Sequence, residues 1–254
     1  MAAFLPRPRR VVFALTALAA LAQADSRAAG ACSVKSARTV TPVVELYTSE
    51  GCNSCPPADR WLSRLKADPE VVALAFHVDY WDRLGWKDRF GSPLHSQRQT
   101  QQEASSGGRF SYTPQVIVDG ADRKDWPGIS APLTARGRPA AVVEIGLVRD
   151  GERVTATVTA NAAAPKRLAA YWAVTEQGHV TAVKAGENEG VTLHHDYVVR
   201  NYQAVQPWSS RAEAPQTLVY ELRESGDPAH SRDVNLVVVD AGSGRPVQAV
   251  KMGC

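Results

Sequence analysis

The chain has 254 residues, 44% of them hydrophobic and 22% charged, with a formal net charge of +3. This composition excludes a disordered or collagen-like chain and is sufficient to bury one large core or two smaller ones. The basic excess lies in residues 1–24, which hold three of the 29 Lys and Arg and no acid, so the remainder carries 26 charges of each sign and gives no electrostatic ground for a nucleic-acid partner.

Arg7, Arg9 and Arg10 precede the apolar run "VVFALTALAALA" and small residues ending at Ala24, the pattern of a removable export signal over residues 1–24. The run is too short to span a bilayer and no later segment is apolar enough, so the expectation is a periplasmic or secreted protein, not a transmembrane one. Ala29 stands three places before Cys32, where a lipoprotein signal wants a larger apolar residue, so lipidation of Cys32 is not expected.

Export allows stable disulfides, and the even set Cys32, Cys52, Cys55 and Cys254 permits three pairings. Cys52 with Cys55 is the local choice. It leaves Cys32 near the mature N-terminus to meet Cys254 at the other end, a clasp worth about 5 kcal/mol at most on the loop-entropy model.

"PVVELYT" at 42–48 reads as a strand and "SEGCNSC" as the turn after it. In "PPADRWLSRLKAD", Trp61, Leu62 and Leu65 recur at helical spacing behind Pro56 and Pro57. "VVALAFHVDYW" is nearly continuous in apolar residues, as a strand covered on both faces should be. Together these predict a right-handed βαβ unit with parallel strands.

Residues 82–110 break the pattern with two aromatic clusters, a helix through "SQRQTQQEA" and a flexible "SSGG". "YTPQVIVDG" then predicts a proline-initiated strand ending in an Asp-Gly turn. After a boundary near residue 138 the texture becomes alternating and turn-separated, which predicts six or seven strands in a sandwich or small barrel over 139–254.

A Cys-x-x-Cys at the start of a helix has a chemical logic. The free N–H groups and positive dipole end favour a thiolate at Cys52, and Cys55, one turn inside, is within reach to close the ring. Cys52 would attack and Cys55 resolve, with protein thiols or disulfides as partners and no cofactor. A staple across two residues would contribute little. A zinc set lacks a second cysteine pair or closely spaced histidines, although two thiolates alone could hold a soft ion such as Cu(I) in a non-enzymatic binding module.

The carboxyl edge of a parallel sheet is where binding groups gather, which brings Asp79, Tyr80, Trp81, Asp82 and Trp86 toward the cysteines. The same aromatics could instead glue the insertion onto the sheet. His77 reads as a core histidine, His194 and His195 point to opposite faces, and "GENEG" reads as a turn with solvated carboxylates. No phosphate-cradling glycine loop is present.

"VVELYTSEGCNSCPPADRWL", "AFHVDYWDRLGWKDRFGSP", "YTPQVIVDG" and "GENEGVTLHHDYVVR", in that order from about residue 42 onward, resemble the exported thioredoxin-like family known as the domain of unknown function DUF1223. The resemblance implies an α/β thioredoxin-like N-terminal half over residues 40–138, with an insertion at about 82–110, followed by a β-rich, sandwich-like C-terminal half. It also implies that Pro114 is a cis-proline facing the cysteine pair and that Thr113 before it contacts substrate. Glu45, an acid mid-strand whose burial should raise its pKa, would then resemble a proton shuttle to the second cysteine, at a spacing one residue longer than in thioredoxins; a structural hydrogen-bonding acid is the equal alternative.

Overall fold

The computed structural model describes residues 1–2, 32–130, 132–133, 137–211, 215–222 and 227–253; the expected signal segment falls almost entirely outside them. The expected strand, helix and strand form after a first strand β1 (Cys32–Lys35): they are β2 (Val43–Thr48), α1 (Pro56–Ser63) and β3 (Val72–His77). Pro56 and Pro57 occupy the first turn of α1, where an N–H would have no helical acceptor, and Trp61 and Leu62 face inward. β2 and β3 pair in parallel, from Val43 opposite Val72 to Thr48 opposite His77.

The insertion contains α2 (Pro93–Ser106). It starts a few residues earlier than its sequence pattern suggests, because Ser92 Oγ accepts from the Leu94 N–H at 3.2 Å and Pro93 fits the first helical position. It stops at Gly107, whose φ of 76° suits a residue without Cβ. The Thr113–Pro114 peptide is cis, and it leads into β4 (Gln115–Val118), antiparallel to β2, and then β5 (Ala121–Asp122).

The described chain continues through β6 (Val143–Asp150), β7 (Arg153–Ala160), β8 (Arg167–Glu176), β9 (His179–Ala182), β10 (Thr192–His195), β11 (Val198–Ser209), β12 (Gln216–Glu221), β13 (Arg232–Asp240) and β14 (Pro246–Met252). One eight-stranded sheet has the order β14-β13-β8-β11-β3-β2-β4-β5. A four-stranded sheet has the order β1-β6-β7-β12, and β9 with β10 forms a separate hairpin.

This corrects the expected fold class. Of the described residues 43% are strand and 15% helix, and no thioredoxin-like α/β arrangement is evident. The reason lies at β3, whose apolar "VALAFH" would leave an unprotected edge if the first half stood alone. β11 takes that edge, with Val198 opposite Ala75 and parallel to it, so strands from either side of residue 138 share one sheet. β1, from before residue 40, likewise pairs with β6. Alternation says which face of a strand is buried and is silent about its neighbour.

Two layers cover one face of the large sheet. α1 packs Ala58, Trp61, Leu62 and Leu65 on Val44, Leu46, Ala73, Ala75 and Val116. At the other end Ile145, Leu147, Val154 and Ala156 of the small sheet meet Leu168, Trp172, Leu236 and Val238. The opposite face carries Val43, Tyr47, Phe76, Tyr171 and Val237, with Arg98 of α2 stacked 4.3 Å from the Tyr171 ring centre. Each of these large side chains contributes about 1.5–3 kcal/mol by leaving water.

Candidate functional site

β2 delivers the chain to a loop at 49–54 that turns into α1. Cys52 and Cys55 are joined in a disulfide with Cα atoms 5.5 Å apart, and the Cys55 N–H donates to Cys52 O at 3.2 Å. Cys55 is the residue immediately before the first helical turn. Both cysteines are 0% exposed, whereas Asn53 and Ser54 between them face solvent. The expected nucleophile is thus covered in this oxidised form.

Thr113, from the segment before β4, donates its hydroxyl to Cys52 Sγ at 3.3 Å, and Ser54 Oγ lies 3.4 Å from the same sulfur. The indole N–H of Trp81 donates to Thr113 Oγ1 at 2.8 Å. Trp81 also rests on the loop itself: a Cβ at Gly51 would lie 3.2 Å from Trp81 Cβ. Of the sequence-predicted residues, Cys52, Cys55, Thr113, Pro114 and Trp81 therefore come together. Asp79 does not join them, because Oδ1 accepts from Ser96 Oγ of α2 at 2.5 Å.

Glu45 lies on the sheet face opposite α1. Its Oε1 accepts from Arg98 Nη2 at 2.7 Å and from Tyr171 OH at 2.6 Å, and its Oε2 from Tyr47 OH at 2.6 Å. Burial pushes its pKa up, but the Arg98 charge and the two hydroxyls outweigh burial and hold it below the usual value. The expected rise is corrected to a fall, because Arg98 and the two tyrosine hydroxyls satisfy the carboxylate.

Cys32 takes part in a disulfide and no described cysteine is free; its expected partner, Cys254, lies outside the described residues.

The structure adds groups that the sequence pattern did not single out. Asn188, on the loop between β9 and β10, donates from Nδ2 to Glu50 O at 2.8 Å and Cys52 O at 3.0 Å, and Glu187 Oε2 accepts from the Asn53 N–H at 3.2 Å. "GENEG" is therefore a turn, as expected, but one that clasps the cysteine loop. Its glycine Gly186, at φ 78°, sits where a Cβ would meet Trp86 Cβ at 3.2 Å. Nothing local in a Glu-Asn pair signals a contact made 136 residues away.

Beneath the loop lies a buried group of five ionisable side chains: Glu50, Asp59, His77, Asp88 and His195. His77 Nδ1 donates to Asp88 Oδ2 at 2.7 Å, and the same oxygen accepts from the Glu50 N–H at 2.9 Å. His77 is a core histidine, as expected, held by its pairing with Asp88. Burial alone would lower its pKa, but Asp88 overrides this and raises it; in return Asp88 is held at about 2. Burial raises the pKa of Asp59, partly offset by His195, His77 and the Thr48 hydroxyl at 3.2 Å.

Glu50 takes the Trp86 indole N–H on Oε2 at 2.8 Å, while its Oε1 faces His195 Nε2 at 3.5 Å and His195 Nδ1 lies 4.0 Å from Asp59 Oδ1. Glu50 two residues before Cys52, and Asp59 one helical turn after Cys55, were the readable signals for this cluster. Among the described residues, no set of three His, Cys, Asp or Glu is arranged to hold a metal ion, and no helix is long and apolar enough to cross a membrane.

A crystal structure of a protein from Agrobacterium tumefaciens solved in a structural genomics programme is similar, with 27% identity and a TM-score of 0.60 over 85% of this chain and 95% of that one. HBP35 of Porphyromonas gingivalis shares the fold at 17% identity, with a TM-score of 0.61 over 86% of this chain and 76% of that one. No curated protein matches. Residues 43–239, which contain the disulfide, Trp81, Thr113 and the Asn188 clasp, match the family described as a protein of unknown function, DUF1223, and the chain belongs to that family.

Proposed function

We propose that the Cys52–Cys55 pair carries out thiol–disulfide exchange with protein partners outside the cytosol, in the cell envelope or medium. The observation that carries this reading is the Thr113 hydroxyl directed at Cys52 Sγ at 3.3 Å. A donor aimed at one sulfur makes the two inequivalent, favouring Cys52 as the thiolate when the bond opens. In the reduced pair, the Cys52 thiolate attacks a partner disulfide and expels one partner thiolate. Cys55, deprotonated, then attacks Cys52 Sγ and expels the second. The partner gains two electrons, and the pair loses two as its own disulfide forms. The reverse sequence oxidises a partner dithiol.

The burial of both cysteines favours a second reading, a covered structural staple. Titration of the folded protein with reduced and oxidised glutathione, followed by thiol alkylation and mass analysis, separates the two. Exchange predicts reduction without loss of the native near-ultraviolet spectrum, and a Cys55→Ser variant that carries glutathione on Cys52. A pair that opens only as the chain unfolds would be a staple.

A further inference from the structure

We infer that Trp81 is a positioning residue for the exchange proposed above: it fixes the Thr113 hydroxyl so that its hydrogen points at Cys52 Sγ. This rests on that reading, and it concerns how the chain tells its two sulfurs apart.

A threonine hydroxyl has one hydrogen and two lone pairs, and left alone it rotates among partners. An indole N–H is donor only, so the 2.8 Å contact from Trp81 Nε1 makes Thr113 Oγ1 the acceptor on that side. The hydroxyl hydrogen must then go elsewhere. Cys52 Sγ, at 3.3 Å, meets it. The Tyr80 hydroxyl, which also lies near Thr113, donates its own hydrogen to Gln99 Oε1 at 3.2 Å, so its oxygen is a second acceptor for the Thr113 hydrogen, and the Tyr80→Phe variant below removes it. Ser54 Oγ is the other polar atom near the sulfur, at 3.4 Å, but Ser54 is exposed and water competes for its hydroxyl.

Trp81 is held for this task. Its Cβ packs against the backbone at Gly51, where an added Cβ would lie 3.2 Å from Trp81 Cβ, and its ring tilts against that of Tyr80 with centres 6.5 Å apart. The same side chain thus abuts the cysteine loop and orients the donor that serves it. When the disulfide opens, Cys52 Sγ takes an electron pair and the negative charge, and a fixed hydroxyl stabilises that charge more than one that must first reorient.

The test is the acidity of the Cys52 thiol in the reduced, folded protein, read from the pH dependence of its alkylation rate with iodoacetamide in a Cys55→Ser background. Thr113→Val should leave about tenfold less thiolate at a given pH, because a hydrogen bond to charge is lost. Trp81→Phe, which keeps a ring of similar shape, should leave roughly threefold less, and should change nothing further once Thr113 is valine. Thr113→Ser should restore the native acidity and Tyr80→Phe should retain it. A Trp81→Phe effect that persists in full beside Thr113→Val, or a Thr113→Val variant with unchanged acidity, would overturn the inference. A pair that cannot be reduced in the folded state would instead overturn the exchange reading on which it stands, so the two failures are distinct.

Discussion

Glu45 and Arg98 form a buried ion pair, 2.7 Å from oxygen to guanidinium nitrogen, that ties β2 to α2. Tyr47 and Tyr171 complete the carboxylate's hydrogen bonds, and Arg98 lies over the Tyr171 ring. The arrangement buttresses the insertion on the sheet. Removing one partner leaves an uncompensated buried charge, so Arg98→Leu should cost about 3–5 kcal/mol in urea unfolding. The Glu45→Leu/Arg98→Leu double variant should recover much of that loss. Glu45→Gln should leave the pH profile of exchange at the cysteine pair unchanged, because Arg98, Tyr47 and Tyr171 occupy the carboxylate oxygens; an altered profile would favour the shuttle role.

Asn188 bonds two successive turns of the cysteine loop through one side-chain amide. Asn188→Ala strands two buried carbonyls, each at a cost of about 1–3 kcal/mol if left unpaired. It should also free the loop, raising the rate at which dithiothreitol reduces the folded protein by roughly the tenfold that 1.4 kcal/mol of opening energy corresponds to. Timed acid quenching and alkylation would measure it. A variant with lowered stability and an unchanged reduction rate would mean that the clasp stiffens the loop without guarding the sulfurs.

The disulfide itself separates a working pair from a staple by its size. Three positions part Cys52 from Cys55, and a loop this short contributes roughly 2 kcal/mol on the chain-entropy model. The Cys52→Ala/Cys55→Ala variant should therefore lose about that much against the oxidised protein when both are unfolded in guanidinium. A much larger loss would mark the pair as a strut of the fold and weaken the exchange reading.

What could be read from the residues divides along a physical line. The strand at 43–48, the helix behind Pro56 and Pro57, and the cis bond at Pro114 follow from local pattern or from the family likeness, and the structure contains all three. The sheet partners were not legible, because β11 pairing with β3 is a contact between distant segments that alternation does not encode. The same holds for the site. Cys52, Cys55 and Trp81 were marked by motif and sheet-edge reasoning and Thr113 by the family likeness, whereas Asn188 acts through backbone carbonyls and leaves no residue-type signature on its partners. The direction of Glu45's pKa shift was misjudged for a related reason: burial could be inferred from its strand, but the arginine that answers it lies on a helix 53 residues away.

His95 supplies the clearest dependence on pH. Its Nδ1 donates to the His77 carbonyl at 2.9 Å, and its ring lies edge-on to Phe76 with centres 5.3 Å apart. Burial is the main cause that lowers its pKa from 6.5 to about 4; His77 and Arg200 lower it further, against the bond to the His77 carbonyl and the pull of Asp88. The unfolded chain thus takes up a proton below pH 6.5 that the folded chain refuses until about pH 4. Stability must fall across that window as the solution is acidified, by about 3 kcal/mol at 1.36 kcal/mol per pH unit. His77 works in the opposite sense: its raised pKa adds stability below 6.5 that is lost as pH climbs through its folded value. His95→Asn keeps a donor near the His77 carbonyl but removes the titrating ring. Urea unfolding from pH 4.5 to 7.5 should then show the variant losing less stability on acidification than the parent, and eventually gaining on it at the acid end. Equal slopes in the two proteins would mean that His95 takes its proton in the folded state as readily as in the unfolded one.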